Sequence, residues 1–442
     1  MNPTVYIETY GCQMNVSDSE LMLGRLAAEG YSAVDSPDGA DVILVNTCAI
    51  RDHAEQRVLG RLGELKRHMH SKTIVGVTGC MAQRLGPRLL KSRHVSLVIG
   101  PDGYRALPTL IESARRGERT VSTDFNLEEH YEDFAPKRFD RVKAWIPVQR
   151  GCDYRCTYCI VPHTRGSERS RRLHEVVREV REVVAEGMSE VVLLGQTVNS
   201  YNDGEHDFAD LLRSVGAVPG VRRVRFTSPH PNDFSERVIR ALADVPAVCE
   251  HVHLPMQSGS TEVLKRMLRR YSRAEYFECL ARLRAAIPGL SVTTDIIVGF
   301  PGETETHFEE TLSAVREAGF MDAFMFKFSA REGTPATRMP PEWSISDAVA
   351  SDRMERLVET VRSAAREQNL GQLGRQCEVL VEREARRGGD LLQARTRDFR
   401  TVLIPGDASM IGRYFTVELT GTTGSTFTGA LVRTRAALPL AV

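Results

Sequence analysis

Gly151-Cys-Asp-Tyr-Arg-Cys-Thr-Tyr-Cys-Ile160 sets Cys152, Cys156 and Cys159 in a Cys-x3-Cys-x2-Cys spacing. One short loop thus offers three thiolates, not four. A structural zinc site closes its tetrahedron with four protein ligands, whereas a cubane iron–sulfur cluster on three cysteines leaves one iron open to a small molecule. The loop follows an apolar run at 144–149, and further short apolar runs recur at 190–194, 221–227, 251–255, 291–298 and 322–328. Segments of helical period separate them, among them 173–187, 234–243, 272–286 and 305–318. Six strand–helix units predict a partial (β/α)6 barrel, whose active site gathers at the carboxyl ends of the strands. The three-cysteine loop follows the first strand, as that rule requires.

Three more cysteines repeat the pattern at longer range. Cys12, Cys48 and Cys80 each follow a short β-branched run, and amphipathic segments at 17–29 (Leu21, Leu23, Leu26 and Ala27 inward) and 52–68 (Val58, Leu59, Leu62 and Leu65 inward) lie between them. This alternation predicts a doubly wound parallel sheet with all three thiols at its ligand-binding edge. Packing supplies no reason for three successive strands to end in cysteine, so a second cluster is the expectation. Cys249, Cys279 and Cys377 sit among apolar neighbours and read as packing residues.

Lys plus Arg and Asp plus Glu both total 58, so no global field draws the molecule to nucleic acid, and RNA binding would need local patches. No signal peptide or membrane-length apolar run is apparent, and six cysteines look committed to metal; a reduced, cytoplasmic protein is expected. The chain divides into 1–118, a linker at 119–143, 144–370 and 371–442. The last part has period-two strands and glycine turns, which predict a small β-barrel. Its arginines, Arg383, Arg386, Arg387, Arg395, Arg397 and Arg400, read either as a solvated face or as a track for a phosphate backbone. Basic groups at Arg165, Arg169, Arg171 and Arg172, and at Lys265, Arg266, Arg269 and Arg270, are further phosphate candidates, helix-surface charge being the commoner meaning. His230 and His253 read as hydrogen-bonded structural residues.

The cysteine loop, with Tyr158 before its last cysteine, is the signature of radical S-adenosylmethionine (SAM) enzymes, and the whole layout resembles their methylthiotransferase branch. That resemblance implies an α/β protein with an amino-terminal domain carrying an auxiliary [4Fe-4S] cluster on Cys12, Cys48 and Cys80. It further implies a radical SAM domain with a second [4Fe-4S] cluster on Cys152, Cys156 and Cys159, and a carboxy-terminal RNA-binding barrel of the TRAM type. Tyr10 to Ser19, Gly151 to Gly166 and His253 to Ser260 look most like the bacterial tRNA branch, which adds a methylthio group to carbon 2 of N6-isopentenyladenosine beside the anticodon. Thr197 stands where many members carry Asn, and Glu332 where Pro is usual. Members acting on threonylcarbamoyl-adenosine or on a ribosomal protein aspartate share the domain order, and a cluster-bearing RNA-binding or sulfur-carrier protein without radical chemistry is the reading from another class.

Polar and glycine-rich strand ends supply the expected SAM pocket: Tyr158, Gln196, Gln257, Ser258, Gly299 and Glu303. The implied partners are a tRNA anticodon stem-loop carrying isopentenyladenosine and an electron donor such as flavodoxin or ferredoxin. The protein is expected to be monomeric, with no membrane association. Both cluster edges should open onto one cavity.

Overall fold

The computed structural model describes residues 2–49, 52–386 and 389–432, with the backbone alone at 52–56. The amino-terminal part alternates β1 (Thr4–Tyr10), α1 (Gln13–Ala28), β2 (Ser32–Ala33), β3 (Val42–Thr47), α2 (Asp52–Leu65), β4 (Ile74–Gly79), α3 (Cys80–Leu85), β5 (Leu97–Ile99), α4 (Leu107–Arg115) and β6 (Thr120–Ser122). The strands form one parallel sheet in the order β2-β1-β3-β4-β5-β6. Alternate residues of the central strands point to opposite faces. Val42 and Leu44 pack with Leu26 and Ile111 on one side, while Ile43 and Val45 pack with Val58 and Leu62 on the other.

Two inward assignments are corrected. Ala27 is exposed, and so is Leu59 at 44%. Helix α1 starts earlier than its apolar period suggests and buries Asn15, Asp18, Ser19 and Glu20 as well as Leu21, Leu23 and Leu26. Its polar side is covered because it packs against the first strand of the central domain. Residues read as a linker contribute β6 to the sheet edge, and Tyr131 stacks on Tyr104 at 5.8 Å.

The central part runs β7 (Lys143–Pro147), β8 (Gln149–Arg150), α5 (Val161–Arg165), β9 (Arg169–Ser170), α6 (Leu173–Ala185), β10 (Glu190–Leu194), α7 (Phe208–Gly216), β11 (Arg223–Phe226) and α8 (Glu236–Asp244). It continues through β12 (His251–His253), α9 (Thr261–Arg266), α10 (Arg273–Ala286), β13 (Ser291–Val298), α11 (Glu305–Ala318), β14 (Asp322–Lys327) and α12 (Asp347–Leu370). Strands β7, β10 and β11, and β12, β13 and β14, form two parallel three-stranded walls, joined by a bridge between Val224 and Val248. The result is the six-stranded partial barrel. Capping boxes start α7 at Asp207, α10 at Ser272 and α11 at Thr304, which satisfies amides that would otherwise be orphaned. Cys279 and Cys249 are buried packing residues, as expected.

The carboxy-terminal part closes into a five-stranded barrel of β15 (Gln376–Glu384), β16 (Leu391–Thr396), β17 (Thr401–Pro405), β18 (Tyr414–Thr422) and β19 (Thr426–Leu431) around Val379, Val381, Ile404, Val417 and Phe427. Three of the six arginines named for it do not form a phosphate track. Arg397 pairs with Glu250 at 2.8 Å, Arg395 with Glu382 at 3.2 Å, and Arg400 with Asp398 at 3.0 Å. Arg383 and Arg386 remain exposed, and Arg387 lies outside the described residues. Glu382 and Asp398 belong to the barrel itself, whereas Glu250 belongs to the central part and helps to dock it. This barrel seals the floor of the central one, where Arg225 donates to the carbonyls of Thr396 and Arg397, Ser291 donates to the carbonyl of Asp398, and Phe399 stacks on His251 at 4.4 Å.

Candidate functional site

The amino-terminal thiols are brought together by register. Tyr10, Thr47 and Gly79 are paired neighbours at the ends of β1, β3 and β4. Cys48 directly follows β3, Cys80 opens α3 directly after β4, and Cys12 comes two after Tyr10. Side-chain amides brace the three turns. Asn15 Oδ1 accepts from the Cys12 amide at 3.3 Å, Asn15 Nδ2 donates to the Thr47 carbonyl at 3.2 Å, and Asn46 Nδ2 donates to the Asn15 carbonyl at 2.7 Å. Gly79 makes room for this network. Its φ is +88°, and a Cβ there would stand 2.4 Å from Asn46 Oδ1.

The 152–159 loop is held by hydrogen bonds to its surroundings. The Cys152 amide donates to the Gly166 carbonyl at 3.2 Å, the Thr157 amide to the Met267 carbonyl at 3.0 Å, and the Gly151 amide to Gln196 Oε1 at 2.7 Å. Thr197, where the resemblance leads one to expect Asn, sets its hydroxyl 3.1 Å from Cys152 Sγ. Cys152, Cys156 and Cys159 line one cavity of about 380 Å³ together with Arg155, His163 and Arg338.

Each triad receives a hydrogen bond from a buried guanidinium. Arg165 Nε donates to Cys80 Sγ at 3.3 Å, and Arg269 donates to Cys156 Sγ at 3.5 Å and to the Tyr158 hydroxyl at 3.5 Å. Both arginines were phosphate candidates in the sequence, and both are buried. The same correction holds for Arg169, which pairs with Asp102, and for Arg171, which pairs with Glu179 at 2.6 Å. Buried guanidinium groups need partners, and here carboxylates and sulfur provide them. Sequence alone gave no signal for this, because the partners come from other elements.

The two triads face each other. Arg165, just after the 152–159 loop, reaches Asp18 of α1 at 2.6 Å, and Arg150 reaches the same carboxylate at 3.1 Å. Cys80 packs with Ala49 and with Ile160, the neighbour of Cys159. Met14 packs with Cys12 against Trp145, Val192 and Leu194, on the inner face of β7 and β10. The amino-terminal sheet edge therefore closes the flank of the central barrel.

The expected SAM pocket is brought together only in part. Tyr158 meets Phe300 edge-on at 6.5 Å beside the loop, and Gln196 holds the loop through Gly151. Gln257 adopts φ +68° at the rim, with its backbone bonded to the Asp295 carbonyl and the Ile297 amide. Three others serve the scaffold. The Ser258 hydroxyl turns to Thr311, and Glu303 accepts from the Gly299 amide at 2.7 Å and pairs with Arg353 at 2.8 Å. These polar groups compensate one another behind the rim, which a strand-end motif does not disclose. His230 is a buried structural residue stacked on Tyr154 at 3.8 Å, and burial holds its pKa down at about 2, so it is neutral.

The thiols fit clusters. Burial pushes Cys159 up to about 12 and also raises Cys80 and Cys152, so these sulfurs become thiolates only beside a compensating cation. Cys12 goes the other way, to about 6, through a hydrogen bond with Cys48, against burial, and with help from Arg165. Among the described residues no three His, Cys, Asp or Glu side chains converge on a single-ion site. A cubane is larger than one ion and takes thiolates set further apart.

Two family models match, one described as the Radical SAM superfamily over residues 146–315 and one as Uncharacterized protein family UPF0004 over 4–100. A tRNA-2-methylthio-N(6)-dimethylallyladenosine synthase of Porphyromonas gingivalis is 40% identical, over 97% of this chain and 95% of that protein. Proteins of the same name from Geobacillus kaustophilus and a Thermoanaerobacter strain are 43% and 41% identical, over 97% of this chain and 82% and 92% of their own lengths. Among solved structures, the radical SAM methyltransferase TsrM of Kitasatospora setae, with cobalamin and a [4Fe-4S] cluster bound, superposes with a TM-score of 0.58 at 14% identity, over 76% of this chain and 77% of that one. At that identity the likeness is one of fold.

Proposed function

This chain belongs to the tRNA-2-methylthio-N(6)-dimethylallyladenosine synthases, a radical SAM family, and on that premise we propose how its two cysteine triads act on tRNA. The reaction is methylthiolation of carbon 2 of N6-dimethylallyladenosine. The cofactors are two [4Fe-4S] clusters and SAM, which when bound would pass on the donor's electron, supply radical chemistry and provide the methylated sulfur. Carbon 2 is an aromatic position that no acid or base of the protein could activate, so a carbon radical is an apt reagent.

The chain's own residues position and shield. Cys152, Cys156 and Cys159 hold the SAM-cleaving cluster, and Cys12, Cys48 and Cys80 hold the sulfur-delivering one. Arg269 and Arg165 each place a guanidinium N–H on one sulfur and favour its anionic form. Tyr158, Gln196 and Gln257 form the side of the SAM pocket nearest the loop, with Ser258, Gly299 and Glu303 holding the rim behind it. The observation that carries the reading is the closeness of the triads, in which Cys80 packs on Ile160 beside Cys159 and accepts from Arg165 just after the loop.

The RNA partner is a tRNA anticodon stem-loop carrying the isopentenyl group. With Arg395, Arg397 and Arg400 held in ion pairs, the exposed Arg383 and Arg386 are offered to phosphate. A monomer that takes its electron from a flavodoxin or ferredoxin in the cytoplasm completes the reading. No described helix is long and apolar enough to cross a membrane. Deleting the gene and measuring tRNA nucleosides by mass spectrometry tests the function. Loss of the methylthio nucleoside with accumulation of its isopentenyl precursor is expected; an unchanged methylthio level overturns it and favours the threonylcarbamoyl or protein-modifying alternatives.

A further inference from the structure

On β12, β13 and β14, Val252, Val292, Ile296, Val298 and Ala323 are buried in the core between strands and helices. The alternate residues therefore face the hollow of the barrel. His253 pairs in register with Thr293, and Asp295 with Phe324, so four side chains share one patch of that inner wall.

The patch lies across the hollow from the sulfur-delivering side. Cys12 and Met14 pack on the inner face of β7 and β10, and the radical loop stands on the rim above. A base whose carbon reacts between the two triads has the β12–β14 wall as its remaining support.

The chemistry of the wall suits a purine. Phe324 is 52% exposed, and its contact with His253 is edge-on, with centroids 5.8 Å apart at 70°, so a ring face is left open to the hollow. An open aromatic face on a concave wall is a stacking platform. Beside it, the carboxylate of Asp295, 27% exposed, stands 3.4 Å from His253 Nε2. That imidazole is held in turn, because His253 Nδ1 and His251 Nε2 each lie 3.0 Å from the Thr293 hydroxyl, and His251 stacks on Phe399 of the docked carboxy-terminal barrel. The carboxylate is thus fixed in place, with acceptor capacity to spare.

We propose that Phe324 and Asp295 seat the target adenine, Phe324 by stacking on its face and Asp295 by accepting the single N–H left on the alkylated N6, with His253 as the residue that positions the carboxylate. This rests on the methylthiotransferase reading and adds to it a specificity determinant. An N6-alkyl adenine still carries one donor at N6, whereas an ether at the same position carries none.

The test uses the full-length reconstituted enzyme and two anticodon stem-loops, one with N6-isopentenyladenosine and one with the O6-isopentenyl ether, which has similar bulk without the N–H. The wild type is expected to prefer the first by at least about tenfold in kcat/KM, the scale of one hydrogen bond to a charged group. Asp295→Ala should bring that ratio close to one; where this variant does not fold, Asp295→Leu, of similar size and without an acceptor, gives the same readout. Phe324→Ala should raise KM for both stem-loops about tenfold while keeping the ratio, and Phe324→Tyr should restore KM. A ratio retained in the Asp295 variants, or a KM unmoved by Phe324→Ala, overturns the seat alone. Failure of the wild type to methylthiolate the isopentenyl stem-loop overturns the reading of the reaction instead.

Discussion

The two triads have the same ligand count and opposite construction. Cys152, Cys156 and Cys159 come from one loop, and their spacing is local. Cys12, Cys48 and Cys80 come from three strand ends, and only the register of β1, β3 and β4 puts them side by side. The loop triad should therefore respond to changes in its own few residues and their hydrogen bonds, and the amino-terminal triad to anything that shifts the sheet.

The largest effect separates their roles. Replacing Cys156 or Cys48 by Ala should each abolish methylthio product and remove about half of the bound iron, one of the two clusters. Only Cys156→Ala should also abolish 5′-deoxyadenosine formation. Iron analysis and chromatography of the SAM products check this, and equal loss of SAM cleavage in both variants would erase the division of labour.

Arg165→Met attacks the join between the two regions. It leaves Asp18 buried with Arg150 as its remaining cationic partner, and breaking a buried pair costs about 3–5 kcal/mol. Calorimetry should show the amino-terminal part melting ahead of the barrel, whereas a single transition shifted as a whole would mean that the two regions do not depend on this contact.

Gly79→Ala should act on the strand-end triad alone. Forcing a Cβ at φ +88° against Asn46 and the Thr47 carbonyl costs on the order of 1–3 kcal/mol, and the auxiliary cluster should be lost more readily on dilution into chelator while SAM cleavage persists. Iron release followed by absorbance checks it.

The smallest effect concerns the docked barrel. Burial opposes the charge on Glu382, but Arg395 and Lys143 outweigh it and hold its pKa at about 2 against an ordinary 4.5. A depressed carboxylate stabilises the fold fully above its unfolded pKa and loses that contribution as pH falls through the folded one. Barrel docking should thus weaken between about pH 4.5 and 2, and Glu382→Gln should flatten that part of a melting-temperature profile.

Much of this was legible in the sequence because strand–helix alternation and cysteine spacing are local patterns. The doubly wound sheet, the six barrel strands and the closed terminal barrel follow from period and turn residues. The errors have two sources. Ala27 and Leu59 were read as inward and find no surface to cover them, whereas Arg165, Arg269 and Arg397 were read against their own element and are decided by a neighbour from elsewhere in the chain. A charged residue on a helix or strand looks solvated until another surface covers it.

The sequence by itself determined the three-thiolate chemistry of each triad, the strand ends that carry them, and the family, since these depend on residue type and short-range order. Only the tertiary structure decided that the triads face each other, that Arg165 and Arg269 serve sulfur rather than phosphate, and that the carboxy-terminal barrel seals the floor. The physical reason is that burying a charge demands a compensating partner, and which partner is at hand is fixed by packing between domains.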